Sequence, residues 1–145
     1  MQDQHVYDLQ LIKAFRANRG KTAGPFAARP LLLLTTIGAK SGLPRTSPLM
    51  YIPDGDQLLV LASNFGASKH PDWYHNLLVH PNVTVEVGSE TYRATAATLV
   101  GIEREQTWAM LVERYPSFAQ LQTTTRRQIP LVALQREPAG SGTFA

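Results

Sequence analysis

The 145-residue chain contains no cysteine. Disulfides, thiolate catalysis and cysteine-held zinc or iron–sulfur sites are therefore excluded. Charge is sparse as well: Asp, Glu, Lys and Arg make up 17% of the residues, with a net excess of +3. So small a basic excess favours an anionic partner without specifying one, and no basic stripe runs along a helix as a nucleic-acid reader would show. No apolar run approaches the ~20 residues of a membrane span. The opening MQDQHVYDLQLIKAF places an acid before its apolar residues and lacks the apolar core of a signal peptide, so a cytoplasmic location is expected. Common catalytic spacings are missing too. GAKS (38–41) lacks the phosphate-loop spacing and precedes a strand-like run; no G-x-G-x-x-G or G-x-S-x-G occurs. His70, His75 and His80 recur every five residues, which on a helix turns each ring by ~140° from the last. No shared metal-binding face results, and no metal is expected.

Hydrophobic residues form 43% of the chain, which suits one globular domain. Residues 6–19 set Val6, Leu9, Ile12 and Phe15 on one side of a helix. Lys13, Arg16 and Arg19 come late, where they complement the helix dipole, and Gly20 stops it. Such a helix packs on a core or touches a membrane surface peripherally. GKTAGPFAARP (20–30) reads as a linker, giving a helix-and-linker segment over 1–29. From residue 30 to 136 the pattern changes to short strands: LLLLTTI, TSPLMYI, QLLVLAS, NVTVEV, ETYRATAATLV and finally QIPLVALQR. Asp54-Gly55-Asp56 and Gly88-Ser89 supply hairpin turns. Pro48 within the second run argues for an edge, a bulge or a ligand-facing position. PDWYHNLLVH, IEREQTWAMLVERY and SFAQLQTTT read as helices, the second with Ile102, Trp108, Leu111 and Val112 inward and Glu103 and Glu105 solvated. Residues 137–145 read as a flexible tail. The fold class is α+β, mainly β: a small antiparallel barrel or strongly curved sheet with helices outside it.

Two stretches hold groups suited to an anionic, planar ligand. In LLLLTTIGAKSGLPRTSPLMYI (31–52), Lys40 and Arg45 flank a glycine-bearing turn, with hydroxyls from Ser41, Thr46 and Ser47. In LASNFGASKHPDWYHN (61–76), Ser63, Asn64, Lys69 and the Trp73-Tyr74 pair lead into a helix whose first N–H groups are free. A basic hairpin tip beside a capped helix and a cradle for an anion both fit these residues.

Taken with YPSFAQLQTTTRRQIPLVAL (115–134), these stretches resemble the deazaflavin-dependent nitroreductase family, over about residues 30–136. The resemblance implies a split β-barrel of antiparallel strands with flanking helices. It also implies an enzyme whose reductant is coenzyme F-420, an 8-hydroxy-5-deazaflavin bearing a phosphate and a polyglutamate tail. A hydride would pass from the reduced cofactor to an electron-poor small molecule such as a quinone, nitro compound or activated alkene. Carried over by motif, the cofactor contacts would be Ala39, Lys40, Ser41, Arg45, Thr46, Ser47, Pro48, Leu49, Met50, Leu61, Ala62, Ser63 and Asn64, followed by Asp72, Trp73, Tyr74, His75 and Asn76. Tyr115, Phe118 and Leu121 would form the acceptor wall, with Phe118 also touching the cofactor and Tyr115 able to donate a proton. Members often carry lysine where Asn64 stands, and several tyrosines where this chain has Phe118 and Leu121. Two other readings remain at this point: a split barrel holding flavin mononucleotide, and a non-catalytic cofactor or lipid carrier. A homodimer is compatible with each.

Overall fold

The computed structural model describes residues 4–17, 31–63 and 68–137. The expected linker, the tail beyond 137 and Asn64 lie outside these residues. Seven strands are described: β1 (Leu31–Ile37), β2 (Pro44–Met50), β3 (Ile52–Asp54), β4 (Gln57–Leu61), β5 (Asn82–Val87), β6 (Glu90–Thr98) and β7 (Leu131–Arg136). Four helices accompany them: α1 (Gln4–Ala17), α2 (Asp72–Val79), α3 (Gly101–Arg114) and α4 (Ser117–Thr123). The strands form one sheet in the order β2-β1-β5-β6-β7-β4-β3, with every pairing antiparallel.

That order closes the sheet on itself. Its two edge strands, β2 and β3, are separated in the chain by Tyr51 alone. A nearly continuous strand therefore pairs with β1 on one side and β4 on the other, which forces the sheet to curl until its edges meet. The run TSPLMYI reads as one strand in the sequence; the structure divides it at Tyr51, giving seven strands where six runs are visible. Pro48 lies on the edge strand β2, where a missing N–H need not break the ladder.

Alternation within strands sorts the core into layers. Leu32, Leu34, Val60, Val83, Val85, Ala94, Ala96, Val132 and Leu134 face the inside of the curl, closed at one side by Trp73, Tyr74 and Leu77 of α2. The alternate residues Leu59, Leu131 and Ala133 face outward under α3 and α4, meeting Leu111, Trp108 and Phe118. Leu31 and Leu33 face α1 through Ile12 and Phe15. β1 and β7 are thus buried on both faces, which explains why LLLL and LVAL are unbroken apolar runs.

The helix phases differ from the sequence expectation at two places. Leu9 of α1 and Ile102 of α3 are both exposed, while Arg104 is buried. Arg104 sits on the inward stripe of α3 with Trp108 and Leu111, at i, i+4 and i+7. Its guanidinium donates to the Ile129 carbonyl at 2.6 Å and lies over the Trp108 ring. Burial holds its pKa below the usual guanidinium range, Glu105 opposing weakly. On α1, Arg16 makes a two-pronged ion pair with Glu86 of β5, at 3.0 and 2.8 Å, which pins the end of that helix to the sheet. No helix among the described residues is long and apolar enough to cross a membrane.

Candidate functional site

The β1–β2 hairpin tip is a tight, glycine-dependent turn. Gly38 N–H donates to the Leu43 carbonyl at 2.8 Å, and Gly42 N–H to the Gly38 carbonyl at 2.9 Å. Gly42 has φ +70°, the left-handed region. A Cβ on Gly38 would run into the Ser41 hydroxyl, which itself accepts from Leu43 N–H at 3.2 Å. Gly38→Ala is therefore expected to lower the melting temperature, and Ser41→Ala added to it to restore most of the loss. Equal melting of wild type and Gly38→Ala by calorimetry would show that the turn yields freely.

The turn is held from below by Asn76 of α2. Its Oδ1 accepts from Ala39 N–H at 2.9 Å, and its Nδ2 donates to the Thr36 hydroxyl at 3.1 Å. Asn76 and Thr36 are both buried, so the amide spends its oxygen and a donor on fixing the tip. In the register, Arg45 is opposite Thr36, Ser47 opposite Leu34 and Leu49 opposite Leu32. Arg45, Ser47 and Leu49 consequently share the face that looks into the curl and toward α2. Thr46, Pro48 and Met50 take the other face, where the Thr46 hydroxyl pairs with that of Thr35 at 2.8 Å. Lys40 and Arg45 are exposed, and among the described residues neither has an ion-pair partner. Two cations thus stand at the tip with their donors available.

A second group gathers where β4 leaves the sheet. Leu61 packs outward on the same cluster as Phe118, Ala62 points into the curl, and Ser63 follows. Arg127 donates from one nitrogen to the Ala62 carbonyl at 3.0 Å and from the other to the Ser63 carbonyl at 2.6 Å. The first nitrogen also lies 2.9 Å from Nδ1 of His70. Arginine has no acceptor, so His70 Nδ1 accepts and its proton sits on Nε2. Burial foremost, then the charges of Arg127 and His75, hold the His70 pKa below its ordinary value. Pro71 caps α2 in an extended conformation, so His70 lies before the helix and escapes the ~140° helical turn expected between it and His75. Its ring meets those of Tyr74 at 5.0 Å and His75 at 5.8 Å. Among the described residues, no group of three acidic or imidazole side chains could hold a metal ion.

Tyr115 lies at the end of α3, just before α4, which carries Phe118 and Leu121 three residues apart. The Tyr115 ring reaches Phe118 nonetheless, with centroids 5.4 Å apart, and it is 39% exposed.

Residues 10–136 match the family model described as F-420H(2)-dependent quinone reductase. The chain belongs to this family. It is similar to an F-420H(2)-dependent quinone reductase of Mycobacterium tuberculosis, 38% identical over 142 residues, or 92% of this chain and 95% of the relative. A solved F-420-H2-dependent reductase superposes with a TM-score of 0.65 at 42% identity, covering 74% of this chain and 95% of its own. A second solved structure, described as a domain-swapped dimer, gives 0.67 at 36% identity over 92% of this chain and all of its own.

This F-420-dependent oxidoreductase thus has the split-barrel architecture that the resemblance implies. Its carried-over residues fall into the two groups above, joined by α2. Ala39, Lys40, Ser41, Arg45 and Asn76 gather at the tip end, Ser47 and Leu49 follow along the same face of β2 away from it, and Leu61, Ala62, Ser63, Phe118 and Tyr115 belong to the strand exit and the helices beside it. Thr46, Pro48 and Met50 turn away from the curl, and the rings of Trp73 and Tyr74 are buried in the interior cluster. Asp72 and His75 are exposed on α2. Arg127 escaped notice in the sequence, and His70 was weighed there only as a metal ligand: nothing in TTTRRQIP distinguishes an arginine whose guanidinium partners lie 57 to 65 residues away.

Proposed function

We infer that F-420 binds along α2, its phosphate and acidic tail at the hairpin tip and its ring at the β4 exit, and that the acceptor is a quinone resting on α4. The observation that carries this reading is the double anchoring of α2. Asn76 ties it to the tip that bears Lys40 and Arg45, and His70, just before it, is tied through Arg127 to Ala62 and Ser63. An elongated ligand with one anionic end and one flat end matches those two attachments. The donor set also fits: two exposed cations without ion-pair partners among the described residues are what a phosphate and carboxylates require.

When bound, F-420 supplies a hydride from C5 of its deazaflavin ring. The chain positions and shields. Lys40 and Arg45 grip the anionic end, with Ser41 and Ser47 adding hydroxyls. Leu61, Ala62, Ser63 and Asn64, with Thr46, Pro48, Met50, Asp72, Trp73, Tyr74 and His75, form or support the remainder of the cofactor seat. Phe118 and Leu121 offer an apolar wall suited to a flat quinone, and the Tyr115 phenol beside Phe118 hydrogen-bonds or protonates the acceptor oxygen. The domain-swapped relative supports a homodimer in the same reading.

Side-by-side fluorescence titrations test the cofactor assignment. F-420 binds more tightly than flavin mononucleotide, and added salt weakens it because the cationic contacts are exposed. Tighter binding of flavin mononucleotide would overturn the assignment.

A further inference from the structure

Arg127 connects three pieces of chain that are distant in sequence. Its guanidinium takes the carbonyls of Ala62 and Ser63 together with His70 Nδ1. Its own carbonyl accepts from Gln122 Nε2 of α4 at 2.7 Å, and Gln122 Oε1 accepts from Ile129 N–H at 2.9 Å. In an extended strand, successive carbonyls point to opposite sides. A planar fork that reaches two in a row fixes how the chain twists out of the sheet. The backbone of the same residue is bound to α4 through Gln122, so the strand exit and the helix bearing Phe118 and Leu121 are held at one separation by two side chains, the Arg127 guanidinium and the Gln122 amide.

We propose that Arg127 is a positioning residue for hydride transfer, setting the gap between the cofactor ring at the β4 exit and the acceptor on α4. This rests on the placement of ring and acceptor given above. Hydride transfer demands close, aligned approach, and a displacement of about 1 Å costs on the order of a hundredfold in rate. Tight binding of F-420 does not depend on this gap, because the grip on its anionic end lies at the hairpin tip, which α2 holds separately through Asn76. Lysine retains the charge but cannot reproduce the fork.

Arg127→Lys and Arg127→Met are compared with wild type in F-420 titrations, in menadione reduction by reduced F-420, and in nitrogen-15 NMR of the histidine rings. The expected result is F-420 affinity within about threefold of wild type and kcat at least tenfold lower in both variants. The His70 Nδ1 acceptor signature should be lost in Arg127→Met. Gln122→Leu cuts the tether on the α4 side, leaves the guanidinium in place, and lowers kcat in the same way; it decides the question if an Arg127 variant fails to fold. Wild-type kcat in the folded variants overturns the proposal, as does a loss of F-420 affinity matching the loss of rate, which would make Arg127 a ligand contact. A wild-type protein that does not oxidise reduced F-420 is a different outcome: it removes the functional reading on which the proposal stands.

Discussion

Replacing Lys40 and Arg45 together with alanine lowers affinity for F-420 by about a hundredfold and leaves the melting temperature within a few degrees of wild type. Hydrogen bonds to charged groups contribute roughly 1.5–3 kcal/mol each, and tenfold in affinity corresponds to about 1.4 kcal/mol. Two such contacts at the lower value already give about 3 kcal/mol. Stability is spared because both side chains are exposed and, among the described residues, neither is in an ion pair; their removal strands no buried partner. The single variants separate the contributions, and the salt dependence of binding shrinks in the double variant as the exposed charges disappear. Fluorescence titration at two salt concentrations measures both effects. An unchanged dissociation constant would leave the hairpin tip as no more than a soluble turn.

The second large effect belongs to the acceptor wall. Phe118→Ala combined with Leu121→Ala raises the KM for menadione by about tenfold or more while F-420 affinity changes only a few-fold. Fully burying one large apolar side chain is worth about 1.5–3 kcal/mol, so two half-buried side chains covered by a flat ligand contribute together about 1.5–3. Phe118 also packs against the cluster of Leu59, Leu111 and Leu131, so Phe118→Ala lowers the melting temperature as well. Leu121→Ala carries less of that burden, and its KM is the cleaner measure. Steady-state kinetics with saturating reduced F-420 provide the comparison. A double variant that reduces menadione with wild-type KM would place the acceptor elsewhere.

How much of this was visible in the residues follows from the range of the forces involved. The strands of LLLLTTI and LVALQR were legible because burial on both faces writes an unbroken apolar run. The hairpin at Asp54–Gln57 was legible because Gly55 supplies the positive φ of +61° that the turn needs. Barrel closure was not, since it depends on Tyr51 passing the chain from one sheet edge to the other, a matter of pairing and not of local pattern. The period of α3 was legible and its phase was not. Ile102 looks apolar enough to turn inward, yet Arg104 wins the buried stripe because Ile129 O and the Trp108 ring satisfy it. In the site, the cations of the tip announce themselves by type. Asn76 reads from family resemblance as a cofactor contact, and only the fold shows its amide committed to Ala39 and Thr36. Arg127 carries no local signal, because its meaning lies in carbonyls brought to it by the barrel.

The most direct test of the central claim is single-turnover oxidation of reduced F-420 by menadione in the presence of the purified protein, set beside reduced flavin mononucleotide under the same conditions. The structure and the family predict rapid, protein-dependent oxidation of reduced F-420 coupled to formation of the hydroquinone, with reduced flavin mononucleotide reacting no faster than without protein. Oxidation of reduced F-420 at the protein-free rate, with the cofactor shown to be bound, would contradict the assignment of this chain as an F-420-dependent quinone reductase.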